Sequence, residues 1–203
     1  MTASLRVREI SQSQNRLVNP DGLQPSPAPP IRPPIHLVSP EGQLQVHTAP
    51  YRGSFSVVLS EALRAAGLGR KVLVAQFLKG GVNQGVDGSV HLCGRLEWMR
   101  PAISGCVVEK ANNQSDESSN NDSVQAVQEI WSACKQHVIL GDLDQLVLDE
   151  VGLAIALGYL KEDDVINTLE QRPGAMDVIL TGPSIPDRIS SMADQFTELR
   201  SGH

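Results

Sequence analysis

The residues best suited to chemistry lie in His47-Thr48-Ala49-Pro50-Tyr51-Arg52-Gly53-Ser54-Phe55-Ser56. This stretch joins the apolar run Leu44-Gln45-Val46 to a long apolar segment, Val57 to Ala66. A loop between a strand and a helix is where many α/β proteins hold a phosphate, because the first amides of the helix lack intrahelical acceptors and its dipole favours an anion. That task calls for glycines, so that backbone N–H groups can curl around the anion. It also calls for a Lys on the outer phosphates and a Ser or Thr hydroxyl on Mg²⁺. The stretch offers Thr48, Gly53, Ser54 and Ser56, but it has a single glycine and no lysine. Arg52 is its cation, and a guanidinium can take a phosphate bidentately. Pro50 has no N–H to offer an anion. Two further strand ends carry charge: Lys79-Gly80-Gly81 and Asp149-Glu150. Lys79 could reach toward phosphate from the second strand. His91-x-Cys93 pairs two metal-ligating residue types, but no second pair stands at finger-like spacing, so we read a surface histidine beside a buried cysteine.

The elements that must position these residues follow from the apolar pattern. Leu44–Thr48 reads as a first strand and Gly53–Ala66 as a helix packed on a sheet, stopped by Gly67 and Gly69. Val72 to Leu78 is apolar throughout except for Gln76, as expected of a buried strand. Leu96–Met99 is a short third strand. Glu109–Ser123 holds one apolar residue in fifteen, which predicts a loop or disordered insertion. The next helix should start at an Asp122 or Ser123 cap and place Val124, Val127, Ile130, Trp131, Cys134 and Val138 on one stripe, with Gly141 at its end. Leu146-Val147-Leu148 predicts a strand, Val151–Leu157 and Glu162–Glu170 helices, and Asp177–Thr181 a strand. Pro186 suits the first turn of a helix running to Met192, and Phe196–Leu199 makes a last strand. Strands alternating with helices predict an α/β domain with a parallel sheet and helices on both faces. In such sheets ligands sit at the carboxyl ends of the strands. The chemistry is therefore expected at 49–53, 79–81 and 149–150.

Composition sets the remaining bounds. The 203 residues allow one main domain plus a tail, and 40% apolar against 20% charged residues allows a core. Aromatics make up only 3%, so that core must be aliphatic. The net charge of −6 and the lack of a Lys/Arg-rich run exclude a nucleic-acid grip built on phosphate neutralisation. No apolar run approaches the roughly 20 residues of a membrane helix. Arg6, Arg8 and Arg16 faintly resemble a transit peptide, but Glu9 and the lack of a cleavage pattern favour a plain tail. Residues 1–43 hold eight of the thirteen prolines and read as a Pro-rich disordered arm ahead of a domain over 44–203. The three cysteines form no C-x-x-C pair, which points to reduced thiols in a cytoplasmic compartment.

Five segments, in order, carry a resemblance. They are Gln76-Phe77-Leu78-Lys79-Gly80, Val147-Leu148-Asp149-Glu150, Arg172-Pro173-Gly174, Ile179-Leu180-Thr181-Gly182, and Ala193-Asp194 followed by Glu198-Leu199-Arg200. Together they resemble the P-loop-type ATP:corrinoid adenosyltransferases, over roughly residues 46–200. The resemblance implies a P-loop NTPase-like fold, with ATP, Mg²⁺ and a corrinoid as ligands. Such a protein brings the 5′ carbon of ATP to a corrinoid cobalt, and the cofactor does the chemistry. The family loop reads approximately T-G-x-G-K-G-K-T-T. Thr48 and Gly53 match it, and Ser56 matches as a hydroxyl. Ala49 and Tyr51 stand where glycines belong, Ser54 at the phosphate-binding Lys, and Phe55 at the Mg²⁺-binding Thr. The family continues past its E-L-R segment, whereas this sequence ends at His203. In the family a carboxylate of the Asp149-Glu150 kind helps hold Mg²⁺; the residues alone also allow an Asp that caps the following helix. Two functions stand: adenosyl transfer from ATP to a reduced corrinoid, or the same fold kept as a binding or assembly module with little ATP turnover. A homodimer or another protein partner is compatible with either; a nucleic acid or a membrane is not expected.

Overall fold

The computed structural model describes residues 41–53, 56–107 and 117–199. The arm up to residue 40, Ser54-Phe55, residues 108–116 (with the first part of the polar insertion) and residues 200–203, with Arg200 of the resemblance, lie outside the described residues. Seven strands form one sheet: β1 (Leu44–Thr48), β2 (Val72–Gln76), β3 (Val90–Leu92), β4 (Leu96–Met99), β5 (Gln145–Asp149), β6 (Asp177–Thr181) and β7 (Gln195–Glu198). Their order is β3-β4-β2-β5-β6-β1-β7. All neighbours are parallel except the β3–β4 pair.

Alternation along the strands divides the core in two. Leu44, Val46, Leu73, Ala75, Leu146, Leu148, Val178 and Leu180 face one side. Four helices cover that side: α2 (Glu117–Leu140), α3 (Val151–Ala156), α4 (Glu162–Glu170) and α5 (Asp187–Met192). Val72, Val74, Leu96, Val147 and Ile179 face the other side, under α1 (Ser56–Gly67). A parallel sheet needs this double cover because its strands are apolar on both faces.

Several expectations need correcting. α2 starts at Glu117, so Asp122 and Ser123 lie inside it and neither stands at its N-cap. Its expected stripe is in place, with Val127, Ile130, Trp131, Cys134 and Val138 all buried. Once that stripe docks, each added turn is cheap, and a polar extension needs no apolar face of its own. In α1 only Val58, Ala62 and Ala66 are buried, while Val57 is exposed. β2 stops at Gln76, although Phe77 and Leu78 remain buried. Pro186 caps α5 from outside and is not in its first turn. The hairpin strand β3 has no counterpart in the sequence reading, and Cys93, expected to be buried, is exposed at its turn with φ 52°.

Arg172-Pro173-Gly174 and the Ala193-Asp194 half of another resemblance segment serve the fold at the far end of the sheet. The Asp194 carboxylate accepts from the Leu44 amide at 2.8 Å and lies 3.6 Å from Arg172. The Gly174 carbonyl accepts from the Gly42 amide at 2.7 Å. Both sets of contacts tie down the entry to β1, at the sheet's amino edge, opposite the expected site.

Candidate functional site

At the carboxyl edge four strand ends stand in register. Gln76 of β2 pairs with Asp149 of β5, Asp149 with Thr181 of β6, and Thr181 with His47 of β1. The topology thus gathers residues spread over more than a hundred positions of the chain.

Asp149 is 2% exposed and fully engaged. One carboxylate oxygen accepts from Gln76 Nε2 at 2.6 Å and Lys79 Nζ at 3.0 Å; the other accepts from Thr181 Oγ1. The Gln76 carbonyl oxygen accepts from Trp98 Nε1 at 2.9 Å and Arg100 Nε at 2.7 Å, which fixes its amide with the N–H aimed at Asp149. Arg100 in turn lies 5.2 Å from the centre of the Trp98 ring. Asp149 does not cap α3. The residue before that helix is Glu150, in left-handed backbone (φ 61°, ψ 26°) and without a side-chain cap bond.

The Glu150 carboxylate is buried and takes a two-point bond from Arg52. Arg52 Nε donates at 3.2 Å and Nη2 at 2.9 Å, and Nη1 reaches the Val107 carbonyl at 3.4 Å. The hydrogen-bonded Glu150 carboxylate holds the guanidinium above its ordinary pKa, against the opposing effect of partial burial. Gly182, at φ 112°, passes so close that a Cβ there would lie 2.9 Å from the Glu150 Cα. A glycine at 182 is what lets β5 and β6 end side by side with Glu150 turned inward.

The candidate residues therefore fall into two groups. Arg52 with Glu150 and Lys79 with Asp149 meet at one edge. Thr48 ends β1 and accepts from the Leu199 amide through its carbonyl at 2.8 Å. Gly53 and Ser56 border a cavity of about 370 Å³ between α1 and β7, lined also by His47, Ala49, Tyr51 and Leu199. Burial lowers the His47 pKa below 6.5, and the charge of Glu61 opposes this in part. Ser54 lies outside the described residues. The sequence reading gave no role to Gln76, Thr181, Trp98 or Arg100. Gln76 carried two signals, as the single polar residue in an apolar run and as the head of a resemblance segment, and Thr181 lay in another such segment.

The donor set does not fit a divalent cation. Mg²⁺ requires near-octahedral oxygen ligands and gives up its water reluctantly. Here both carboxylates are already paired with cations. Among the described residues no three His, Cys, Asp or Glu side chains converge.

A mostly parallel sheet covered on both faces, with its first βα loop beside a strand-end acidic pair, defines a P-loop NTPase-like α/β domain. The family model of ATP:corrinoid adenosyltransferase BtuR/CobO/CobP matches residues 40–203, and the chain belongs to that family. It is 31% identical over 159 residues to the corrinoid adenosyltransferase of Escherichia coli (strain K12), covering 78% of this chain and 76% of that one. It is 32% identical, with the same coverage, to the corrinoid adenosyltransferase CobA of Salmonella typhimurium (strain LT2). The corrinoid adenosyltransferase of Pseudomonas aeruginosa is 28% identical over 158 residues, 78% of this chain and 74% of that one.

Proposed function

We propose that this chain is a degenerate member of its family, which keeps the fold as a binding or assembly module and turns ATP over weakly or not at all. The observation that carries this reading is Arg52 held on both oxygens of buried Glu150. The cation of the loop is spent on the protein's own carboxylate, so it is not presented to a phosphate. The loop sequence agrees: Ala49, Tyr51, Ser54 and Phe55 replace the glycines, Lys and Thr of the family loop. A cytoplasmic setting and a protein or homodimer partner belong to the same reading.

The second reading is an active ATP:corrinoid adenosyltransferase, with ATP and a corrinoid as substrates. Lys79, Asp149 and Thr181 favour it, because their mutual bonds keep the strand ends ordered beside the loop. An adenosylation assay with ATP, Mg²⁺ and a chemically reduced corrinoid, followed by the absorbance change on cobalt–carbon bond formation, separates the two. The degenerate reading expects no formation above a protein-free control. Catalytic formation of the adenosylated corrinoid would overturn it.

A further inference from the structure

The acidic pair sits where the family reading places a metal, yet its donors do not fit one, and the misfit has a specific cause. Glu150 is the more buried partner of a two-point ion pair with Arg52, at 2.9 and 3.2 Å. The guanidinium takes one lone pair on each carboxylate oxygen and puts a positive charge where a cation that keeps its waters would sit. Lys79 does the same for one oxygen of Asp149, whose other oxygen accepts from Thr181. The charges balance: two carboxylates face two cations, all four from this chain. A divalent cation at Glu150 would meet Arg52 at close range and would have to displace it.

We propose that Arg52 is the resident counter-ion of Glu150, in direct competition with divalent metal, so that the carboxyl edge is metal-free in this protein and gains divalent-cation affinity when Arg52 is removed. Arg52 is the switchable member because it comes from the β1–α1 loop and its side chain is 40% exposed, whereas that of Glu150 is 2% exposed. With Arg52 and Lys79 held on the two carboxylates, an anion that binds at this edge draws on no metal, and its affinity is the same in Mg²⁺ as in chelator. The inference rests on the proposed degenerate reading only in placing no metal-bound nucleotide here. It concerns the nucleotide-free protein and is tested there.

The experiment is a calorimetric titration of Mn²⁺ into the full chain, its Arg52→Ala variant and an Arg52→Ala/Glu150→Gln variant, with thermal melts in MnCl₂ and in EDTA. The expected result is no saturable heat and no melting shift for the unmodified chain. Arg52→Ala should bind one Mn²⁺ at least tenfold more tightly than the unmodified chain and melt higher with it, and the double variant should lose both effects. If Arg52→Ala does not fold, Arg52→Gln, which keeps length and an N–H but no charge, takes its place. Saturable Mn²⁺ binding by the unmodified chain overturns the proposal, as does the same silence in the Arg52 variant, or binding that survives Glu150→Gln. Strong Mg²⁺·ATP binding together with silent Mn²⁺ would sink the degenerate reading and leave this one standing.

Discussion

Replacing Arg52 by Met should expose how far the carboxyl edge depends on one ion pair. The substitution keeps the aliphatic stem and removes the charge, so Glu150 is left buried without its partner. Removing one member of a buried pair costs roughly 3–5 kcal/mol, because the remaining charge is uncompensated. Glu150 is enclosed, with 2% of its side chain exposed, but Arg52 is 40% exposed, so water can reach part of the vacated space. We therefore expect a loss of about 2 kcal/mol, between the buried and the surface cases. In a domain of this size that lowers Tm by about 4–8 °C. The assay is a denaturant or thermal melt of four proteins: unmodified, Arg52→Met, Glu150→Gln and the double variant. Because Glu150→Gln removes the stranded charge, the double variant should recover about 1 kcal/mol or more relative to the sum of the single losses. A loss under about 0.5 kcal/mol for Arg52→Met, or strict additivity in the cycle, would refute the reasoning: the pair would then behave as an ordinary surface contact.

Three other outcomes are expected. Gly182→Ala should destabilise by about 2–3 kcal/mol, since it adds a Cβ against Glu150 at a backbone angle that side chains rarely adopt; a melt within error of the unmodified protein would contradict this. Burial pushes the Cys134 thiol up to about 12, while Cys93 and Cys106 are exposed, so a thiol reagent should label two cysteines quickly in the native protein and the third only on unfolding. The His47 pKa is lowered mainly by burial, so the unfolded chain binds the proton more readily. Stability should fall as pH drops through about 6.5, with the loss complete below the folded value, and His47→Gln should flatten that part of the curve.

Local patterning made most of the framework legible. β1, β4, α4 and β6 fall on the residues that the sequence pattern predicts, because each is a short apolar run or a clear helical stripe bounded by turn residues. β3 was missed because its three residues carry no alternating burial and its place depends on main-chain pairing with β4. The start of α2 was missed because Glu117–Ser123 is polar on every side, and only the docked remainder of the helix carries it. The site was half legible. Strand-end logic located Arg52, Lys79, Asp149 and Glu150, but not their pairing. Arg52 and Glu150 stand 98 positions apart, and nothing local says that a loop cation will turn to a carboxylate instead of an incoming anion. The Gln76 relay to Trp98 and Arg100 is equally non-local, since it exists only once β2 and β4 pair.

Titration of ATP·Mg²⁺ into the full chain by calorimetry, with and without a reduced corrinoid, tests the central claim most directly. Losing one charged hydrogen bond of the phosphate–Lys kind costs roughly 1.5–3 kcal/mol, about ten- to a hundredfold in affinity. The altered loop and the engaged Arg52 add to that loss, so the degenerate reading predicts no saturable binding below about 1 mM, with or without the corrinoid. Saturable micromolar binding of ATP, accompanied by adenosylation of the corrinoid, would contradict it.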